Sequence, residues 1–219
     1  MTAAAAIATG VERDLLSPVT QLLEAVLAGA ARAFAPTLPQ RYIRSIRRED
    51  LRSITAALPA APYRTHEDDL YWQRAGEVTE LIAWDGSTPV GSGFIHWSGP
   101  RDASVAKLVS DCPEIFRLEV LDEHRSKGFG AALVRELEGL ARAKGCLRVG
   151  LGVGIANSRA RALYERLGYR AVESSDFVDR CEHPDANGNR CTSEEPCVFM
   201  VKDLGSAVPA HMAGARSAS

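Results

Sequence analysis

The chain has 219 residues, 46% of them hydrophobic and 25% charged, with a formal net charge of −2. That length can bury one full core, and the composition is that of an ordinary globular protein, which excludes a chain disordered throughout. The near-zero charge leaves no broad field for a polyanion, so nucleic acid is not an expected partner. A membrane span is not expected either, because Glu24 and Arg32 interrupt the most apolar segment.

Residues 1–40 read as a tail and an amphipathic helix. The first ten are low in complexity; then Ser17 can cap, Pro18 suits a first helical position, and Val19, Leu22, Leu23, Val26, Leu27 and Ala30 recur at helical spacing. The helix lacks the basic face of a membrane-surface helix, so packing on the domain or on a second subunit is expected. One domain is expected over 41–203. It opens with a strand over 42–46 and a helix from Glu49 through Leu51, Ile54 and Leu58 that Pro59 and Pro62 end. A second helix is predicted over 66–74, then strands over 79–84 and 90–97 joined as a hairpin through 85–89. Residues 98–113 read as polar and irregular.

A strand is predicted over 114–121, followed by a charged turn and the pair Gly128 and Gly130. A helix comes next, with Leu133, Val134, Leu137, Leu140 and Ala141 on its apolar face and Lys144-Gly145 at its end. Helix N-terminal amides are unpaired and partly positive, and glycines there let a phosphate come close, although such a turn is also common for structural reasons. In the next strand, 147–153, Gly150, Gly152 and Gly154 share one face. That marks close approach of a ligand or another backbone, or tight helix packing. Asn157-Ser158 starts a helix through Ala160, Ala162, Leu163, Tyr164 and Leu167, with Gly168 in the C-cap position. Tyr164 is either a core aromatic or a functional phenol. A dinucleotide fingerprint is excluded, since Leu133 stands where the third glycine belongs and the second glycine run lies inside a strand.

Three segments in this order resemble the GNAT superfamily of N-acetyltransferases. Arg125-Ser126-Lys127-Gly128-Phe129-Gly130 is similar to its Arg/Gln-x-x-Gly-x-Gly/Ala signature, Leu118-Glu119-Val120 to its acetyl-CoA strand, and Asn157 to Tyr169 to its Asn-x-x-Ala-x-x-Leu-Tyr-x-x-Leu-Gly-Tyr segment. The resemblance implies an α/β fold with a mixed, mostly antiparallel sheet, splayed central parallel strands and flanking helices. It implies acetyl-CoA as co-substrate, its pyrophosphate on amides from Lys127 to Ala131 with Arg125 and Lys127 adding charge, and its pantetheine arm along Leu118 to Val120. The amide of Val120 would stabilise the oxyanion, Asn157 would bond the cofactor arm or fix the helix start, and Tyr164 would be the general acid. Glu114, eleven positions before Arg125, would be the base; Glu119, expected on the opposite strand face, would contact substrate. The acceptor is expected to be a small-molecule amine, with a protein amine or a non-catalytic CoA-binding module as alternatives.

Beyond residue 172 a β-hairpin is expected, bordering the acceptor pocket or a homodimer interface. A turn centred on Ala186 would set Cys181 opposite Cys191. Cys181, His183, Cys191 and Cys197 match no standard zinc spacing, so no metal is expected. The odd count of five cysteines and the lack of a leader pattern predict a reducing cytoplasm. Residues 204–219 read as a flexible tail.

Overall fold

A computed structural model describes residues 40–58, 60, 64–184 and 189–205, without the side chains of 181–184 and 190. The helix expected between residues 17 and 34, and the C-terminal tail beyond residue 205, lie outside these residues.

Strands β1 (Arg41–Ser45), β2 (Val78–Asp85) and β3 (Thr88–His96) run antiparallel in sequence. The β2–β3 turn is two residues long, and Gly86 takes the positive φ of 60° that so tight a hairpin requires. Between β1 and β2 lie α1 (Leu51–Ala57) and α2 (His66–Ala75). The second starts where predicted because Thr65 and Asp68 form a reciprocal capping box, and it stops at Gly76 with φ 80°. Ile54, Leu58 and Leu70 from this pair pack on Ile46, Ile82 and Trp84, on one face of the sheet.

The stretch expected to be irregular contains a six-residue helix, α3 (Ala103–Leu108). The Asp102 carboxylate caps it by accepting from the amides of Ser104 and Val105, and Val105 and Val109 are buried against Phe199. Six residues carry too little periodicity to be seen in advance.

Strand β4 (Glu114–Val120) leads into α4 (Phe129–Ala143), then β5 (Arg148–Gly154) and α5 (Ser158–Arg166). The α4 face written in the sequence is the buried one: Leu133, Val134, Leu137 and Ala141 are fully enclosed with Ile115, Val149 and Leu151. Each large aliphatic side chain so buried stabilises by about 1.5–3 kcal/mol. Strands β6 (Arg170–Pro184) and β7 (Arg190–Asp203) complete a seven-stranded sheet among the described residues, in the order β1-β2-β3-β4-β5-β7-β6. The β6–β7 register pairs Cys181 with Ser193 and His183 with Cys191. This corrects the expected opposition of Cys181 and Cys191, because the hairpin's centre falls one residue later than Ala186. Cys112, Cys146, Cys191 and Cys197 are free thiols.

Every strand pair is antiparallel except β4 and β5, whose parallel register holds for two residue pairs only, Glu114 with Gly150 and Ile115 with Leu151. Beyond them the two central strands part. At the divergence Arg117 has φ 48°, and the β3 register passes from Phe94–Phe116 to Ser92–Glu119, so Arg117 and Leu118 together oppose Gly93. This β-bulge adds one residue and shifts the alternation of β4. Glu119 therefore shares the face of Glu114 and Phe116, not the opposite face as expected from simple alternation.

Candidate active site

The loop into α4 turns through two left-handed residues, Ser126 at φ 60° and Gly128 at φ 93°. No side chain caps the helix, and its first-turn amides, those of residues 129–131, precede the first backbone bond, from the Ala132 amide to the Gly128 carbonyl at 3.0 Å. Ser126, Gly128, Gly130 and Ala131 line a cavity of about 890 Å3 that runs from the end of β4 to α5. Arg125 closes the turn from below: its Nε donates to the Val120 carbonyl at 3.1 Å and its guanidinium pairs with Asp122 at 2.6 Å. Ser126 Oγ accepts from Arg159 at 3.0 Å, joining the loop to the start of α5. Lys127 and Phe129 do not line the cavity. The Lys127 carbonyl accepts from Arg41 and the residue is exposed, while the Phe129 ring is buried in the core beneath the Arg41 guanidinium.

The β4 backbone is open toward the parted strands. The Leu121 amide bonds to the Val90 carbonyl at 3.0 Å, and polar groups alternate sides along an antiparallel strand. The adjacent Gly91–Val120 pair therefore turns its groups away from β3, and the Val120 carbonyl meets Arg125 there. The Val120 amide points the same way, into the gap.

A second cavity of about 160 Å3 lies against the face of β5 turned away from α4. Glu114, Arg117, Phe177, Asp179, Glu195 and Cys197 line it. The two cavities share Leu118, Asn157, Ala160 and Tyr164, so they meet where the strands part. Tyr164 is 7% exposed, its ring stands edge-on to Tyr169, and its hydroxyl has no hydrogen-bond partner among the described residues. Burial pushes its pKa up to about 12, so it is a phenol at any physiological pH. Asn157 Oδ1 caps α5 by accepting from the Ala160 amide at 3.0 Å, which leaves its NH2 group to the cavities. Glu114 is buried and held: its carboxylate accepts from the Arg101 amide at 2.7 Å and pairs with the Arg101 guanidinium at 3.2 Å. Glu119 is exposed on the rim of the larger cavity.

The glycine face of β5 takes up side chains from β6 and β7, and Gly152 and Gly154 also line the smaller cavity. A Cβ at Gly150 would overlap the Phe199 ring, one at Gly152 would stand 2.8 Å from Phe177, and one at Gly154 would overlap the Glu195 carboxylate.

Residues 43–169 match the Acetyltransferase (GNAT) family. The chain belongs to that family. Over 103 residues it is 33% identical to the mycothiol acetyltransferase of Corynebacterium glutamicum and 28% identical to the uncharacterized N-acetyltransferase YjcF of Bacillus subtilis. Each match covers 47% of this chain and spans 31% of the first relative and 64% of the second. The fold is similar to that of the acetyltransferase YncA of Salmonella typhimurium, solved with its cofactor acetyl-CoA. That match has a TM-score of 0.55 at 19% identity and covers 77% of this chain and 96% of that one. It is similar too to a phosphinothricin acetyltransferase of Sinorhizobium meliloti in complex with acetyl-CoA, with a TM-score of 0.53 at 23% identity over 76% and 90% of the two chains.

One polar cluster of this GNAT chain escaped the sequence reading. On the α1–α2 face, Asp69 Oδ1 receives Arg64 at 2.6 Å and Arg117, from the β4 bulge, at 3.4 Å, while His66 Nε2 lies 3.3 Å from the Leu58 carbonyl. Beside them Glu80 is fully buried with neither oxygen partnered; desolvation first, then the Asp69 charge, push its pKa up to about 8. The facing atoms of His66, Asp69 and Glu80 lie within 4.8 Å of one another, as metal ligands could, but Asp69 is already paired with two guanidinium groups. The only trace in the sequence is a glutamate heading the apolar run Leu81-Ile82-Ala83-Trp84.

Proposed function

We propose that this chain transfers the acetyl group of acetyl-CoA to the amine of a small molecule. The observation that carries the reading is the meeting of two cavities at Tyr164, in the gap where β4 and β5 part. Unpaired amides at the N-terminus of α4 suit a pyrophosphate, because they offer donors and partial positive charge without any capping side chain to displace. The larger cavity is then the donor side, and the thiol-bearing arm runs along Leu118 to Val120 toward Tyr164. The smaller cavity is the acceptor side; its volume and buried carboxylate favour a small amine over an extended peptide.

In this reading the acceptor ammonium first gives a proton to Glu114, directly or through water, with Arg101 as the counter-ion that holds the carboxylate in position. The neutral nitrogen attacks the thioester carbonyl carbon, and the Val120 amide donates to the oxygen as it becomes negative. The carbon–nitrogen bond forms and the carbon–sulfur bond breaks. Tyr164 gives its phenolic proton to the departing thiolate, the nitrogen's remaining extra proton restores the phenol directly or through water, and Glu114 releases the first proton to solvent, so the products are the amide and the free thiol. Asn157, with its oxygen committed to the helix cap, offers its NH2 group to the cofactor arm.

Calorimetry with CoA and a thiol-release assay with acetyl-CoA and an amine panel test this. Micromolar CoA binding with amine-dependent thiol release supports the proposal. Binding without release on any amine would leave a CoA-binding module, and no binding would remove the donor site altogether.

A further inference from the structure

The acceptor cavity carries more negative charge than acetyl transfer to a simple amine needs. Its lining contains three carboxylates and two guanidinium groups. Arg101 is committed to Glu114, and Arg117 to Asp69 and to the face of the Phe94 ring at 4.4 Å. Asp179 and Glu195 remain, as direct cross-strand partners on β6 and β7, and neither has a cationic partner among the described residues. The nearest arginine in sequence, Arg180, pairs with Glu194 on the outward face at 2.9 Å. Like charges directly opposite one another on a sheet destabilise it, so the pair has a cost that a bound cation would remove.

The geometry shows that one of these carboxylates has a reserved seat. Gly154 has no side chain, and the Glu195 carboxylate occupies the volume a Cβ would take, at the end of β5 where the chain turns toward Asn157. The same cavity receives the Tyr164 residue, which is more than nine-tenths buried and whose hydroxyl has no partner. The negative field is felt locally: Cys197, in the same lining, has its thiol pKa raised to about 11, chiefly by burial and then by Glu195 and Asp179.

We infer that Asp179 and Glu195 form a subsite for a second cationic group, and that the acceptor is therefore an aliphatic diamine or polyamine. This rests on the acceptor reading above. One amine, neutral when it reacts, lies beside Tyr164 and Glu114; the distal amine, still an ammonium, sits between the two hairpin carboxylates. A cavity of about 160 Å3 accommodates the short alkyl chain between them. Zwitterionic amino acids are disfavoured, since their carboxylate would enter a field already negative.

The test is acetyl transfer by the full chain to diaminobutane and to butylamine, scored as the ratio of kcat/KM values after the statistical factor of two. The expected ratio is about tenfold, and it arises mainly in KM, as for a partly exposed charge-assisted contact. Asp179→Asn with Glu195→Gln brings the ratio close to one. Gly154→Ala lowers it as well, though it leaves every charge in place, because the carboxylate loses its seat. Glu194→Gln, on the outward face, keeps the ratio. A wild-type ratio near one, or a ratio that the double variant leaves unchanged, overturns the inference while acetyl transfer stands. No thiol release with any amine would remove the acceptor reading and the inference together, and calorimetry with CoA would then report whether the donor site survives.

Discussion

Replacing Glu80 by glutamine tests the buried cluster behind the β4 bulge. Glu80 is fully enclosed, and its pKa is raised from 4.5 to about 8, with desolvation the first cause and the Asp69 charge the second. The folded protein therefore keeps a proton that the unfolded chain releases above about pH 4.5. Stability is unaffected by this group below that pH, falls as pH rises, and has lost its full share above about pH 8. At about 1.4 kcal/mol for each tenfold step in proton affinity, the loss amounts to at most about 5 kcal/mol, a large fraction of a domain's stability. Glutamine cannot ionise, keeps the shape, and leaves Asp69, His66 and both arginines in place. Urea unfolding followed by tryptophan fluorescence, at about pH 5 and about pH 9, gives both stabilities by linear extrapolation. The two proteins should differ little at the lower pH, and Glu80→Gln should be more stable by several kcal/mol at the higher. If the difference between them stays constant within about 1 kcal/mol across that range, the carboxyl is not held neutral by burial and the reasoning fails.

Tyr164→Phe should lower kcat by about ten- to a hundredfold with little change in the KM for acetyl-CoA, as for a group that donates only when the thiolate departs. Because burial has pushed the phenol up to about 12, the wild-type rate should show no alkaline limb from this residue below about pH 10; stopped assays from neutral pH upward check both points. Gly128→Ala meets no neighbour within 4 Å but must hold φ at 93°, so it should cost about 1 kcal/mol of stability and raise the KM for acetyl-CoA, read from thermal melts and saturation curves. Gly150→Ala forces a methyl group into the Phe199 ring and should cost about 1–3 kcal/mol, or some 2–12 °C in melting temperature, with no direct effect on CoA binding.

The elements that could be read in advance are those whose signal is local. Helix α4 declared itself through an apolar stripe, and the β2–β3 hairpin through two apolar runs about a short glycine turn. The family signatures worked for the same reason: a backbone site at a helix start needs glycines at fixed spacing, and spacing is visible. What could not be read depends on partners far along the chain. The glycine face of β5 fits a ligand, another backbone or tight packing equally well by sequence; Phe177, Glu195 and Phe199 come against it from a hairpin whose position no local pattern encodes. Glu80 reads as an ordinary strand residue until Asp69 from α2, Arg64 from the loop before it and Arg117 from β4 are brought near it. The bulge at Arg117 leaves no mark in residue types at all, since an arginine in the left-handed region is selected by its surroundings and not by its own preference.

That bulge explains how one strand can serve two cavities. With strict alternation, Glu114, Phe116, Leu118 and Val120 would share a face, and the apolar edge needed on the donor side would be turned toward the acceptor. The extra residue moves Leu118 and Val120 to the α4 face with Ile115, while Glu114, Phe116 and Arg117 stay on the other. Gly93 makes this possible, because a Cβ there would come within 2.9 Å of Leu118 Cδ1. Arg117 then fastens the bulge from behind, with its guanidinium over Phe94 and reaching Asp69. The kink also ends the β4–β5 ladder just after Ile115, which opens the gap at Tyr164. The buried charge cluster, the bulge and the parted strands are thus joined through Arg117, which reaches Asp69 from the strand whose divergence borders both cavities.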